Sequence, residues 1–203
     1  MCNEVARRIA LGQLREDWSQ LRIPLLFPEG APNMAPLDSV RITDPTVIVR
    51  AGADGAADLV TRRWSWPMAN GRPLYNFRSE GRRFTNSATG GRCLVPVDGF
   101  YEFTAPEDPK SKRKTKWLFT PTPGGPLAGD YLMIAGLWHA DSRVGQAFTL
   151  LTCAPGPDVA PLHSRQVVLM PRTHWGAWIG GDVPSAELIA PSPAGSLSVA
   201  RVG

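Results

Sequence analysis

The sequence predicts an α+β fold: one mixed domain over residues 1–203, dominated by antiparallel strands, with few short helices and a loose tail from about residue 184. Three observations lead there. Short runs of β-branched and aromatic residues recur along the chain, bounded by turn residues. The chain holds 20 Gly and 20 Pro, which favour short elements joined by turns over long helices. It carries no internal repeat and no phosphate-loop, dinucleotide-binding or zinc-deaminase signature.

The elements follow in order. Val5, Ile9, Leu14, Trp18 and Leu21 recur at helical spacing, so an amphipathic helix is expected over 5–21, broken near Gly12. Residues 23–36 are Pro-rich and read as a surface loop. Strands are expected over 40–42 and 47–50. Asp54-Gly55 then reads as a hairpin turn, and 59–66 as the return strand, broken at Trp64-Ser65-Trp66-Pro67. Trp64 and Trp66, two apart, would share a strand face; that suits either core packing or an exposed platform on which bases stack. Asn76 is followed by Arg78, Arg82 and Arg83, which suits a phosphate-contacting edge; the alternative is a solvated helix start capped by Ser79. Basic residues alternate through 110–116, as in a mobile hairpin loop. Strands are expected over 117–120, 132–138 and 148–153. A Pro-rich loop over 155–162 delivers His163, Ser164 and Arg165 to a strand over 166–170. Thr173 is placed to cap a short helix holding Trp175, Trp178 and Ile179.

The centre of the chain is residues 92–103. Cys93 to Val97 is an apolar β-type run, Asp98-Gly99 a sharp turn, and Phe100-Tyr101-Glu102-Phe103 the start of a second strand. Glu102 is flanked by aromatics. Desolvation there would raise its pKa and make it a proton shuttle. Period-two alternation equally allows it to face solvent.

Composition narrows the function classes. Charged residues make up 20% and apolar residues 43%, ordinary for a globular chain. No apolar run approaches a membrane span, and the start lacks a signal-peptide pattern, so a cytoplasmic location without membrane contact is expected. Cys2, Cys93 and Cys153 show no paired spacing, which argues against a disulfide framework and a structural zinc site. Neither metal nor cofactor is expected. The net charge is +4, and 18 of the 22 basic residues are Arg. That bias fits a phosphate-bearing partner or GC-rich codon usage.

The motifs now carry a resemblance. Met1-Cys2, Asn76-Phe77-Arg78-Ser79-Glu80, the 92–103 stretch, Ala135-Gly136-Leu137-Trp138, Phe148-Thr149-Leu150-Leu151-Thr152 and Leu162-His163-Ser164-Arg165 occur in that order. Together they resemble the SRAP family, the SOS response-associated peptidases, also called abasic site processing proteins. The resemblance spans nearly the whole chain and implies a barrel-like fold. It implies a monomer that binds single-stranded DNA and links covalently to its abasic sites. Under it, Cys2 matches the nucleophile once Met1 is removed, and Asn76 the residue holding the abasic sugar. Glu102 and His163 match the acid/base pair. Arg78 and Arg165 match phosphate contacts, and Trp64 a base-stacking aromatic. The chain departs from the family pattern at three places. Asn3-Glu4 stands where many members have Gly-Arg, so a phosphate contact at position four is lost or reversed in sign. Phe77 stands in place of Ala, and Gln166-Val167 in place of Met-Pro.

The chemistry of a terminal cysteine points the same way. A free Cys2 is a 1,2-aminothiol, with an amine pKa of about 7.7–8.0 and a thiol pKa of about 8.5 when unperturbed. Its amine can form an imine with the ring-opened abasic aldehyde, and its sulfur can then close a five-membered thiazolidine, with proximity driving the closure. An internal cysteine cannot, because its nitrogen is an amide. A strand-cleaving lyase side reaction follows if the imine eliminates first. Two other classes stay open: a thiol peptidase or N-terminal-nucleophile hydrolase using Cys2, and a single-strand DNA-binding module without chemistry.

Overall fold

The computed structural model describes residues 2–106, 108, 110–127 and 129–203. In its first half the elements are β1 (Glu4–Arg7), α1 (Leu11–Gln20), β2 (Leu25–Leu26), β3 (Leu37–Arg41), β4 (Pro45–Ala51), β5 (Ala57–Trp64), β6 (Trp66–Pro67), β7 (Pro73–Leu74) and β8 (Asn76–Arg78). The second half holds β9 (Gly90–Val97), β10 (Gly99–Thr104), β11 (Thr115–Pro121), β12 (Leu132–Asp141), β13 (Gly145–Cys153), β14 (Gln166–Val167), α2 (Trp175–Gly180), α3 (Ser185–Leu188) and β15 (Leu197–Arg201).

The strands form two main sheets. One runs β15-β11-β10-β1-β3. The other runs β14-β13-β12-β9-β4-β5-β2, with β8 added alongside β13. A parallel pairing of β13 with β5 (Phe148 opposite Trp64) closes β5-β4-β9-β12-β13 into a ring, the barrel-like part of an α+β fold.

Period-two alternation sorts the ring's side chains onto two faces. Ile48, Val60, Cys93, Val95, Ile134 and Leu150 point to one cluster, which they share with Val5, Phe100 and Phe119 of the other sheet. Val47, Val49, Leu94, Met133, Ala135 and Leu151 point the other way, to a cluster closed by Trp18 of α1 and Trp175 and Trp178 of α2. Trp18 and Trp175 meet at 5.6 Å. Buried Asp17 is satisfied by the Tyr131 hydroxyl at 2.9 Å and Arg172 at 3.0 Å.

Several sequence expectations change. Residues 4–7 are strand, not helix: β1 pairs with β10 and β3, and Val5 lies opposite Phe100. The helix starts later because the Arg8 and Ile9 main-chain N–H groups both go to the Asp98 carboxylate. Asp98-Gly99 is a corner rather than a hairpin turn. β9 and β10 belong to different sheets, and a Cβ on Gly99 would sit 2.6 Å from the Phe119 carbonyl oxygen. Ser65 has φ +83°, which turns the strand so that Trp64 and Trp66 do not share a face. Residues 79–83 form no helix; the Ser79 hydroxyl donates to the Thr152 carbonyl at 2.9 Å. Thr173 makes no side-chain cap, because α2 continues from a 3-10 turn over 172–174. The tail is not loose. β15 pairs with β11 from Leu197 opposite Pro121 to Arg201 opposite Trp117, and Asp158 accepts from the Gly195 and Leu197 N–H groups.

Candidate active site

The candidate site lies where β1, β8, β10 and the loop before β14 converge. Cys2 immediately precedes β1 and is 1% exposed. The Asn76 amide, from β8, donates to the Cys2 carbonyl oxygen at 2.6 Å. β8 is fixed by parallel pairing with β13, Asn76 opposite Leu150, so the contact rests on two sheet elements. The Asn76 Oδ1 is buried and has no partner among the described residues. An acceptor in that state carries a desolvation cost until a donor arrives.

Glu102 is on β10, the neighbour of β1. It shares a strand face with Phe100, and both are buried. Cys2 and the Glu102 carboxyl are close enough to influence each other's protonation. His163 Nε2 lies 3.7 Å from Glu102 Oε2. On its other side, His163 Nδ1 is 3.1 Å from the Arg165 N–H and 2.9 Å from the Arg165 carbonyl oxygen, so the Arg165 main chain fixes the ring whichever nitrogen carries the proton. Burial pushes the Glu102 carboxyl above the usual range, only partly opposed by nearby positive charge, the chain's N-terminal charge first and His163 next. Burial first, and the Glu102 charge second, push the Cys2 thiol far up. That sulfur rests as a neutral thiol, donating to the Glu4 carbonyl at 3.4 Å. The structure thus brings Cys2, Asn76, Glu102 and His163 together.

The SOS response associated peptidase (SRAP) family matches residues 1–203. The chain belongs to the SRAP family. Membership gives it, at the family level, a DNA-damage-associated role in abasic-site processing, and implies DNA binding. Two crystal structures of Bordetella bronchiseptica proteins share the fold. One is 20% identical, with full coverage of both chains and a TM-score of 0.70. The other, a phage-related protein, is also 20% identical with a TM-score of 0.70, covering 99% of this chain and 94% of its own. No curated protein matches the sequence. No described helix is long and apolar enough to cross a membrane.

The other expected SRAP positions fall out differently. Arg78, Arg82 and Arg83 are exposed, and Arg78 lies two residues from Asn76 on the same strand. Arg82 lies over the Phe77 ring at 4.7 Å. Arg165 is already engaged: its guanidinium forks onto Glu80 at 2.6 and 2.9 Å and onto Thr152, so a phosphate would have to displace Glu80. Trp64 is a correction. It is 1% exposed, stacked on Phe148, and its indole N–H donates to the Tyr75 carbonyl oxygen, so no ring face is open to a base. Trp66 is a partly exposed aromatic, on β6, which pairs with β7 just before Asn76. Sequence reasoning also missed Lys116, which reaches Glu4 beside Cys2. Its alternating basic surroundings read as a loop, and no local signal marks a contact 112 residues away.

Proposed function

We propose that this SRAP protein captures abasic sites in single-stranded DNA by covalent addition of Cys2. The observation that carries the reading is the convergence on Cys2: the Asn76 amide holds its carbonyl at 2.6 Å, and His163 Nε2 lies 3.7 Å from the Glu102 carboxylate on the neighbouring strand. Removal of Met1 turns the Cys2 nitrogen into a free amine next to a carboxyl whose pKa burial raises, which suits that carboxyl to take up a proton. The amine attacks the abasic aldehyde, and Glu102 takes its proton. Loss of water, with the proton returned by Glu102 or His163, gives the imine. The thiol then adds across C=N, its proton passes to nitrogen, and the thiazolidine closes.

The neutral thiol sets the order. With the sulfur protonated by burial, the amine acts first and the sulfur second. This weighs against a thiol peptidase, whose sulfur would have to lose its proton to a neighbouring base before it could attack. The Asn76 Oδ1 is suited to accept from a sugar hydroxyl, and its amide holds the Cys2 carbonyl in place. Arg78, Arg82 and Arg83 line the approach for phosphates, and Trp66 takes the stacking role expected of Trp64. If the imine eliminates the 3′ phosphate before sulfur closes the ring, the strand breaks and a lyase product appears.

The test is incubation of processed protein with a single-stranded oligonucleotide carrying one abasic site. An adduct that survives boiling in SDS and vanishes in Cys2→Ala is expected. Full strand binding with no adduct would leave only a binding module, and turnover of peptides by the same thiol would favour a hydrolase.

A further inference from the structure

The chemistry above leaves one large feature unused. A cavity of 620 Å3 opens beside the first residues of β1, lined in part by Asn3, Glu4 and Phe103. Four of its lining groups are cations: Arg41, Arg113, Lys114 and Lys116. Glu4 is the only carboxylate among the described lining residues. It is 5% exposed, with Lys116 Nζ at 2.8 Å, Ser39 Oγ at 2.6 Å and Arg41 Nε at 3.9 Å. Burial would raise its pKa, but the hydrogen bonds from Lys116 and Ser39 outweigh burial and hold the carboxyl below the usual range. Glu4 is therefore a fixed anion at neutral pH. Lys116 is further pinned over the Tyr101 ring, 3.8 Å from its centroid. Arg113 and Lys114 have no carboxylate within 4.0 Å among the described residues, although Asp108 lines a neighbouring depression with them.

An ammonium, a guanidinium and a hydroxyl converging on one oxygen anion are the donors that hold a phosphate. Here the chain supplies the anion itself. We propose that this cavity is a phosphate-binding subsite, and that Glu4 is a built-in competitor which a phosphate must displace from Lys116 and Arg41. The inference rests on the reading that single-stranded DNA lies across the Cys2 site. It adds where one of its phosphates docks and what limits that docking. Arg113 and Lys114 attract the phosphate, and the final contact requires Lys116 to exchange one anion for another. Strand capture is weakened by the chain's own carboxylate, next to the residue that reacts.

The test uses an undamaged, dye-labelled single strand, so that covalent capture plays no part. Anisotropy titrations run from about 50 to 200 mM salt, where each lost phosphate contact on a single strand flattens the log–log slope by about 0.7. Glu4→Gln keeps a hydrogen-bonding partner for Ser39 and frees Lys116. It should bind severalfold tighter, with a slope steeper by about 0.7. The exposed-loop double variant Arg113→Gln/Lys114→Gln should bind more weakly, with a slope shallower by about 1.4. Inorganic pyrophosphate should displace the strand from wild type at lower concentration than it displaces the strand remaining on the double variant. Unchanged affinity and slope in Glu4→Gln, or equal pyrophosphate sensitivity in wild type and the double variant, would overturn the proposal. Adduct formation on abasic DNA is scored separately. If it is absent while these shifts occur, the covalent reading fails and the subsite stands. If it is present while they are missing, the subsite alone fails.

Discussion

Two carboxylates flank Cys2, and they are tuned in opposite directions. Glu4 and Glu102 sit on adjacent strands of one sheet, and both are nearly inaccessible to solvent. Burial raises the pKa of each. Around Glu4 an ammonium and a hydroxyl reverse that effect, and the group stays charged. Around Glu102, with the His163 imidazole 3.7 Å away, burial outweighs the charges and hydrogen bonds that oppose it. One carboxylate is held in its charged form; the other is pushed toward its protonated form. Burial alone does not make a proton shuttle; what decides is whether the hydrogen bonds and charges around the carboxylate outweigh it, as they do at Glu4 and do not at Glu102.

The largest effect that would sharpen this contrast is on rate. Glu102→Gln keeps the shape but removes the proton shuttle, and should slow adduct formation by about 10²–10⁴-fold in single-turnover gels. The same variant should be more stable than wild type at neutral pH. A carboxyl raised in the fold favours folding only below its unfolded pKa of about 4.3, and that advantage is lost as pH rises through the folded value. The stability gap should therefore close as denaturation is repeated in acid. Next in size is Asn76→Ala. It strips the Cys2 carbonyl of its partner and should cost about 1–3 kcal/mol in urea unfolding, with slower capture of abasic DNA. The smallest is Lys116→Met, at about 1 kcal/mol, since the pair is partly exposed. Its signature is in the pH dependence. In wild type, Glu4 contributes stability above its unfolded pKa and loses it as pH falls through the depressed folded value. Without Lys116 that contribution should shrink or reverse, making Glu4 behave like Glu102.

The strands were largely legible. β9, β11, β12 and β13 lie where β-branched and aromatic runs predict them, because sheet-forming side chains there alternate between two apolar clusters. β1 was not, since Val5, Ile9 and Leu14 also fit a helical stripe, and only pairing with β10 and β3 decides the matter. The burial of Glu102 was open to either reading from alternation. β10 is covered on both faces, by the shared apolar cluster on one and by Lys116 over Tyr101 on the other, and a strand's own sequence does not say how many faces are covered. Cys2 was legible as a reactive residue through the SRAP resemblance and the chemistry of a terminal cysteine. Its neutral thiol was not, because that follows from packing against distant strands. Trp64 shows the converse: the aromatic that suggested base stacking is core, and the positive φ at Ser65 sends Trp66 elsewhere.

The account stands on Cys2 reacting through both its nitrogen and its sulfur, and intact-mass analysis of the product with an abasic oligonucleotide tests this most directly. The expected product is the chain without Met1 plus the oligonucleotide less one water, resistant to borohydride in wild type and absent in Cys2→Ala. A processed chain that gains no mass, or a Cys2→Ala chain that gains the same stable mass, would contradict it.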